Sequence, residues 1–477
     1  MTTLASAVEP GRRRYDARHR WVVLAVGVGA QGAFSAMFSG VPLTGITMRA
    51  DYHLSTGALG LVLACLALGV AASDIGWGLL TDRFGDRRVL LTGLTSTGAL
   101  LAVMAAAVTP ADGAGVALLA TCMAIVGALG GSVNGASGRA VMTWFGEGER
   151  GLAMSIRQTA IPAGGAVGVA LLPWLAHAYG FRAVYAVPGA LCLTAAAATW
   201  RWLHEPTPAH PPAPSPVPTL DHAPAPSPVP TSDHAPAPAP VPTPGRSPAP
   251  IPGPIPGPTP VPTSGPIPAP AEGSTPQDSP GRALGGARSP LRRWEVWRVA
   301  LAGALLTVPQ FAVLSFTAIF LHDVKGGGAA LAGVTVMIAQ LGGGAARIWT
   351  GRRTDRRGNR RTYLRGIGVL AGLAMVAAAA LTDAPTPITV TALAFGGLLA
   401  NSWHGIAYTE IAALAGPNRA GTALGLIGTT VFAVGFLTPL LIPVVLDHAT
   451  WTAVWALAGA ASLLAVPLAP AGRVRAR

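Results

Sequence analysis

Charge is scarce in this chain. Asp, Glu, Lys and Arg together make up 11% of its 477 residues, against 51% apolar residues. A water-soluble protein of this length needs far more charge to cover its surface, so that class is excluded. Lysine is almost absent: Lys325 is the single one, and every other basic residue is arginine, which points to a GC-rich genome and to nothing mechanistic. Cysteine is scarce as well. Cys65, Cys122 and Cys192 all fall within apolar segments. An odd number at wide spacing suits neither a disulfide framework nor a metal-ligand set, so they read as small hydrophobes in helix packing, and neither a metal nor a cofactor is expected. There is no GxxxxGK[ST] phosphate loop to draw energy from a nucleotide. No nucleophile–base pair is legible, so an enzyme is not expected either.

What the chain has in abundance is apolar length. Twelve stretches of roughly 20 residues are each long enough to cross a ~30 Å hydrocarbon core as a helix. They lie near 20–42, 57–80, 88–109, 114–143, 151–177, 182–203, 296–321, 328–350, 363–382, 386–414, 420–446 and 451–470. The formal net charge of +13 could suggest nucleic acid, but its distribution argues against that partner. Of 33 Lys and Arg, 27 fall in the N-terminal tail, the loops after even-numbered segments and the C-terminal tail. Arg49, Arg182 and Lys325 fall in the opposite loops, which carry Asp51, Asp112, Asp323, Asp383 and Asp447 instead. This is the positive-inside pattern of a multi-pass protein with both termini cytoplasmic, and a bacterial inner membrane is the expected location. Arg12-Arg13-Arg14 is not followed by a short apolar region with a cleavage site, so the first segment is expected to remain as an anchor.

Proline interrupts the apolar pattern once. Residues 205–290 carry a twelve-residue repeat, PAPSPVPTLDHA from Pro212 and PAPSPVPTSDHA from Pro224. Such a sequence cannot form helix or sheet ladders and is expected to be disordered or extended polyproline II. The expected organisation is a basic tail (1–19), a six-helix bundle (20–204), this linker (205–290), a second six-helix bundle (291–470) and a basic tail (471–477). The linker reads as a tether, with docking of a PxxP-binding partner as the alternative.

One motif occurs twice. Asp82-Arg83-Phe84-Gly85-Asp86-Arg87-Arg88 recurs 273 residues later as Asp355-Arg356-Arg357-Gly358-Asn359-Arg360-Arg361, each copy between two apolar segments. So short a loop needs Gly85, and by repetition Gly358, for an unusual backbone conformation. Gly78 and Gly351, four residues before each Asp, would let a neighbouring helix approach closely. A carboxylate at the C-terminal end of a helix is disfavoured by the helix dipole, so Asp82 is expected to sit against an arginine or the N-terminus of another helix. The arginines would anchor the loop at the anionic lipid surface. With twelve helices and a long central loop, these residues resemble the signature turn of the major facilitator superfamily, G-x-L-x-D-R-x-G-R-[KR]-[RK]. Asp86 departs from that pattern in the first copy and Arg353 in the second. The resemblance implies an all-α membrane fold of two pseudo-symmetric six-helix bundles rocking about a central site. It also implies a gating role for Asp82 and Asp355.

The drug-antiporter motif of that family, G-x-x-x-G-P-x-x-G-G, is imperfect here, since Ala160-Ile161-Pro162-Ala163-Gly164-Gly165 lacks the leading glycine and spaces the pair differently. Met123, four residues before Gly127, stands where those antiporters carry an arginine. The runs Gly138-Arg139-Ala140-Val141-Met142 and Gly151 to Thr159 are similar to bacterial cyanate-permease-like and small organic-anion members.

Ionisable residues inside apolar segments are costly and therefore functional candidates. There are five: Asp74, Arg139, Arg157, Arg347 and Glu410. The 273-residue offset superposes Asp74 on Arg347, and offsets of 270–273 set Arg139 at or beside Glu410, so the sign of charge inverts between the halves. The simplest expectation is one ion pair per half, Asp74 with Arg139 and Arg347 with Glu410, or crossed pairs between halves. Such pairs could lock helices, exchange during gating, or couple protons through Asp74 or Glu410. Arg157 has no counterpart, its repeat position falling near Ile427, and is either a clamp for an anionic substrate group or a cap on carbonyls or lipid phosphate. In the resembling family the first, fourth, seventh and tenth helices line the cavity. That points to Gln31, Phe34, Asn134, Gln310, Asn401 and His404, with Arg157 and Gln158 beside them. Interhelical hydrogen bonding is the alternative role for the amides.

These features together predict a monomeric secondary transporter of a small, anionic organic solute, driven by protons or a counter-ion. Proton-coupled efflux of drugs or hydrophobic metabolites, and a non-transporting membrane sensor, are the alternatives.

Overall fold

The computed structural model describes residues 18–204 and 289–470, and among these residues the regular structure is entirely helical. Nearly all of the basic N-terminal tail and the Pro-rich linker, and all of the C-terminal tail, lie outside the described residues. A helix pairs every backbone N–H and C=O within one apolar run, which hydrocarbon demands because it offers no other partner. The N-terminal half comprises α1 (His19–Leu43), a short α2 (Gly45–Asp51), α3 (Thr56–Phe84), α4 (Asp86–Ala107), α5 (Val116–Gly130), α6 (Ser132–Trp144) and α7 (Arg150–Trp202). The C-terminal half comprises α8 (Trp294–Lys325), α9 (Ala329–Arg357), α10 (Arg360–Ala380), α11 (Thr386–Ala400), α12 (His404–Ala415), α13 (Ala420–His448) and α14 (Trp451–Leu468).

Ten stretches of the described chain are long and apolar enough to cross a membrane. The 53-residue α7 does so twice, because Gly180, at φ 70° and ψ −175°, breaks it into 150–179 and 181–202. α11 and α12 together make one further crossing, interrupted at Asn401-Ser402-Trp403. Twelve crossings result, as expected from the apolar stretches. The short α2 was not foreseen, since seven residues are too few to show a periodicity.

In the N-terminal half α1 and α4 pack on α7, and α3 packs on α5; in the C-terminal half α10 packs on α14, α8 on α13 and α14, and α9 on α11. The halves meet chiefly where α3 crosses α13 and α7 crosses α9. Each half has its own apolar core, but a third cluster is shared. It joins Val141, Met142, Phe145 and Met154 to Ile406, Ile411, Ala420 and Leu424, and it lies at the end of the bundle that carries the repeated turns. The first and last helices of each half meet there too: His19 Nε2 lies 3.1 Å from the Trp202 carbonyl, and Arg298 donates to the Leu468 carbonyl at 2.9 Å. The outer surface presents large apolar side chains such as Leu61, Trp174, Leu341 and Leu441, as a lipid-facing surface requires.

Candidate functional site

The repeated turns are built as their glycines require. Gly85 adopts φ 88° and Gly358 φ 63°, both in the region that disfavours a side chain. Each turn's aspartate then reaches across to the other half. Asp82 accepts from the Gly421 and Thr422 backbone N–H groups at 2.8 and 2.7 Å and from Thr422 Oγ1 at 2.5 Å. Asp355 accepts from the Gly151 and Leu152 N–H groups at 2.9 and 2.8 Å. A carboxylate misplaced at the end of its own helix thus caps the positive end of another, α13 in one case and α7 in the other. Close approach makes this possible: a Cβ on Gly78 would strike the Gly421 carbonyl oxygen, and one on Gly351 the Gly151 carbonyl oxygen. The turn arginines serve the rim. Arg87 donates to the Trp200 carbonyl at 2.8 Å and Arg360 to the Glu147 carbonyl at 3.0 Å, Arg83 lies over Phe84, and Arg88 and Arg356 are exposed.

The expected pairs Asp74–Arg139 and Arg347–Glu410 do not form. Arg139 lies level with the turn, 2.8 Å from Asp86 and 3.6 Å from Asp82. Glu410 lies 2.6 Å from Arg361 of the second turn. The inversion of sign between halves is therefore real, but its partners are turn residues. In the first half the turn supplies the acid and the helix the base; in the second the roles reverse. Asp74 and Arg347 cannot take part, because each lies eight residues, about 12 Å of helix, deeper than its turn.

Those deeper residues form one hydrogen-bonded chain. Arg157, wholly buried, donates through Nε to Ser137 Oγ at 2.9 Å, through Nη1 to Gln158 Oε1 at 2.7 Å, and through Nη2 to Gln31 Oε1 and the Asn134 carbonyl at 2.7 Å each. Gln31 Nε2 donates to Asn134 Oδ1 at 3.3 Å, and Asn134 Nδ2 to both oxygens of Asp74 at 3.2 Å. Across the seam, Arg347 donates through Nη1 to the Gln158 carbonyl at 3.0 Å, through Nη2 to Asn401 Oδ1 at 3.2 Å, and through Nε to the Asn401 carbonyl. The interrupted crossing at Asn401 frees that carbonyl from its helical partner, the use to which broken membrane helices are commonly put. The two asparagines play matched parts: Asn134 turns its NH2 to a carboxylate, Asn401 its oxygen to a guanidinium. Among the described residues no ion pair involves Asp74, Arg157 or Arg347, although each is at most 2% exposed.

Of the cavity candidates, Gln31, Asn134, Arg157, Gln158 and Asn401 belong to this chain. Phe34 does not; it packs in the N-terminal core against Phe38, 5.8 Å away. Gln310, 9% exposed, keeps an unpartnered Oε1 on α8. His404 is buried with its ring stacked on Trp403 at 3.9 Å. Ser137 was missed, although its place one turn beyond Asn134 in a run of small residues was a usable signal. The departure of Asp86 from the family pattern was another, since that residue is the partner of Arg139.

The fold and its paired turns define a two-bundle membrane transporter. A sequence model of the Major Facilitator Superfamily matches residues 24–439, and the chain belongs to that family. It is 28% identical over 453 residues, 94% of this chain and 85% of the other, to the uncharacterized MFS-type transporter Rv2994 of Mycobacterium tuberculosis. Over 212 residues, 44% of this chain and 46% of the other, it is 25% identical to the probable galactarate/D-glucarate transporter GudP of Escherichia coli. Among solved structures, the human organic anion transporter MFSD10 is similar in fold, with a TM-score of 0.64 at 14% identity, covering 96% of this chain and 100% of that one.

Proposed function

We propose that this protein is a secondary transporter of small organic anions, working by alternating access of its two six-helix halves (20–204 and 291–470) as a single chain in a bacterial inner membrane. One observation carries the reading: two buried guanidinium groups, Arg157 and Arg347, lie where the halves meet, linked through Gln158, and no carboxylate pairs with either among the described residues. A buried cation without a counter-charge is expensive. A carboxylate entering between the two would remove that cost and satisfy planar, bidentate geometry. The similarity to a probable galactarate/D-glucarate transporter supports a sugar-acid dicarboxylate as the first substrate to try.

The arginine-rich distribution assigns the turn end to the cytoplasm. The aspartate caps and the shared apolar cluster then make this conformation one closed toward the cytoplasm. Opening requires α13 and α7 to leave the carboxylates of Asp82 and Asp355. The test is uptake of labelled D-glucarate into vesicles at matched protein levels. Arg157→Gln and Arg347→Gln are each expected to abolish it, and unchanged uptake in either removes that residue from the site. Transport of a hydrophobic dye, with no acid moved, would transfer the function to efflux.

A further inference from the structure

Two aspartates on α3 show what a carboxylate needs in this protein and what one of them lacks. Asp82 receives three hydrogen bonds of 2.5–2.8 Å and has Arg139 at 3.6 Å. Asp74, two turns deeper and 1% exposed, receives hydrogen bonds only from Asn134 Nδ2, both at 3.2 Å, and no cation pairs with it among the described residues. Its cover comes from the opposite half. The backbone of α13 is laid directly on it, so that a Cβ on Gly428 would strike Asp74 Oδ2 and one on Gly425 the Asp74 carbonyl, while Thr429 Oγ1 donates to the Ala71 carbonyl at 2.9 Å. The first turn of the same helix contains Gly421 and Thr422, whose N–H groups hold Asp82. One movement of α13 therefore both releases the Asp82 cap and uncovers Asp74.

We propose that Asp74 carries the coupling proton, a neutral acid while α13 covers it and a carboxylate once α13 withdraws. Enclosing a carboxylate in so dry a crevice without a paired cation is costly, whereas a carboxylic acid fits there with one amide beside it. The proton enters from the central site while the turn end is shut and forms the Asp74 O–H bond. When the turn end opens, that bond breaks, the proton passes to cytoplasmic water as hydronium, and the electron pair stays on the carboxylate. Glu410 is unsuited to this role because Arg361 already neutralises it at the rim. The charged and titratable groups facing Asp74 are Arg157 of α7, joined to it through Gln31 and Asn134, and Tyr408 of α12. α13 presents only Gly425, Gly428 and Thr429, α6 presents Asn134, and α1 presents Gln31.

This rests on the anion-transport reading, so the test has one arm that needs no substrate. In pH-difference infrared spectra of the purified full-length protein, a carboxylic-acid C=O band is expected in the native chain. It should be lost in Asp74→Asn and displaced in Asp74→Glu, the latter serving if the asparagine variant does not fold. Superimposable native and variant spectra overturn the proposal. In proteoliposomes, native protein should accumulate labelled D-glucarate under an inward proton gradient, while Asp74→Asn exchanges it across the membrane but no longer accumulates it. Accumulation by Asp74→Asn also overturns the proposal. If the native protein moves no D-glucarate at all, the assigned substrate fails, and the infrared arm still decides Asp74.

Discussion

Asp74 and Asp82 lie eight residues apart on one helix, share a residue type, and meet opposite surroundings. Asp82 is held by a helix N-terminus and by Thr422, so removing its charge weakens the closed arrangement. Asp82→Asn is expected to cost the closed form about 1–3 kcal/mol, the usual loss for a charged acceptor of backbone N–H groups. In a chain without native cysteines, a cysteine replacing the buried Met154 of the shared apolar cluster should then react faster with a water-soluble maleimide. An unchanged rate would mean the cap contributes nothing to closure. The cap itself was legible in the sequence, because a carboxylate at a helix C-terminus has to find a positive charge or a helix N-terminus elsewhere. Packing gives Asp82 both, the N-terminus of α13 and Arg139 at 3.6 Å.

At the level of the elements, each turn is tied to the fourth or tenth crossing by ion pairing of inverted polarity, closest in Asp86–Arg139 and Arg361–Glu410. Both pairs are largely shielded, with side-chain exposures of 4–19%, so breaking one should be felt more than at an open surface. Glu410→Gln is expected to lower thermal stability, with the reversed pair Arg361→Glu/Glu410→Arg recovering most of the loss. Failure of the double variant to recover would show that Arg361 acts through other contacts. The sequence repeat revealed the inversion but paired it wrongly. An offset of 273 tells which residues superpose, not which way a long side chain points, and Arg139 points toward the turn. The interruption at Asn401 was equally hidden, since no proline or run of glycines marks it.

At the scale of the whole molecule, two aspartate caps and one apolar cluster span the seam at the turn end. The proposed orientation rests on the arginine distribution, and Glu147, whose side chain is 89% exposed beside the turns, is placed to test it. A single cysteine at Glu147 should react with an impermeant maleimide in inside-out vesicles and not in right-side-out ones. The reverse result would invert the topology and the direction of proton release.

Twelve crossings, their division into two halves and the special turns at Gly85 and Gly358 were determined by the sequence itself. Apolar runs of about 20 residues can satisfy their backbone in hydrocarbon as helices, and positive φ favours glycine, so these features depend on local chemistry alone. The partners of Arg139 and Glu410, the carbonyls offered to Arg157 and Arg347, and the glycine backbone closed over Asp74 were decided only by the tertiary structure. In each case the residues in contact come from different helices, and on the α3–α13 seam from opposite halves, so which of them meet is set by packing rather than by local pattern.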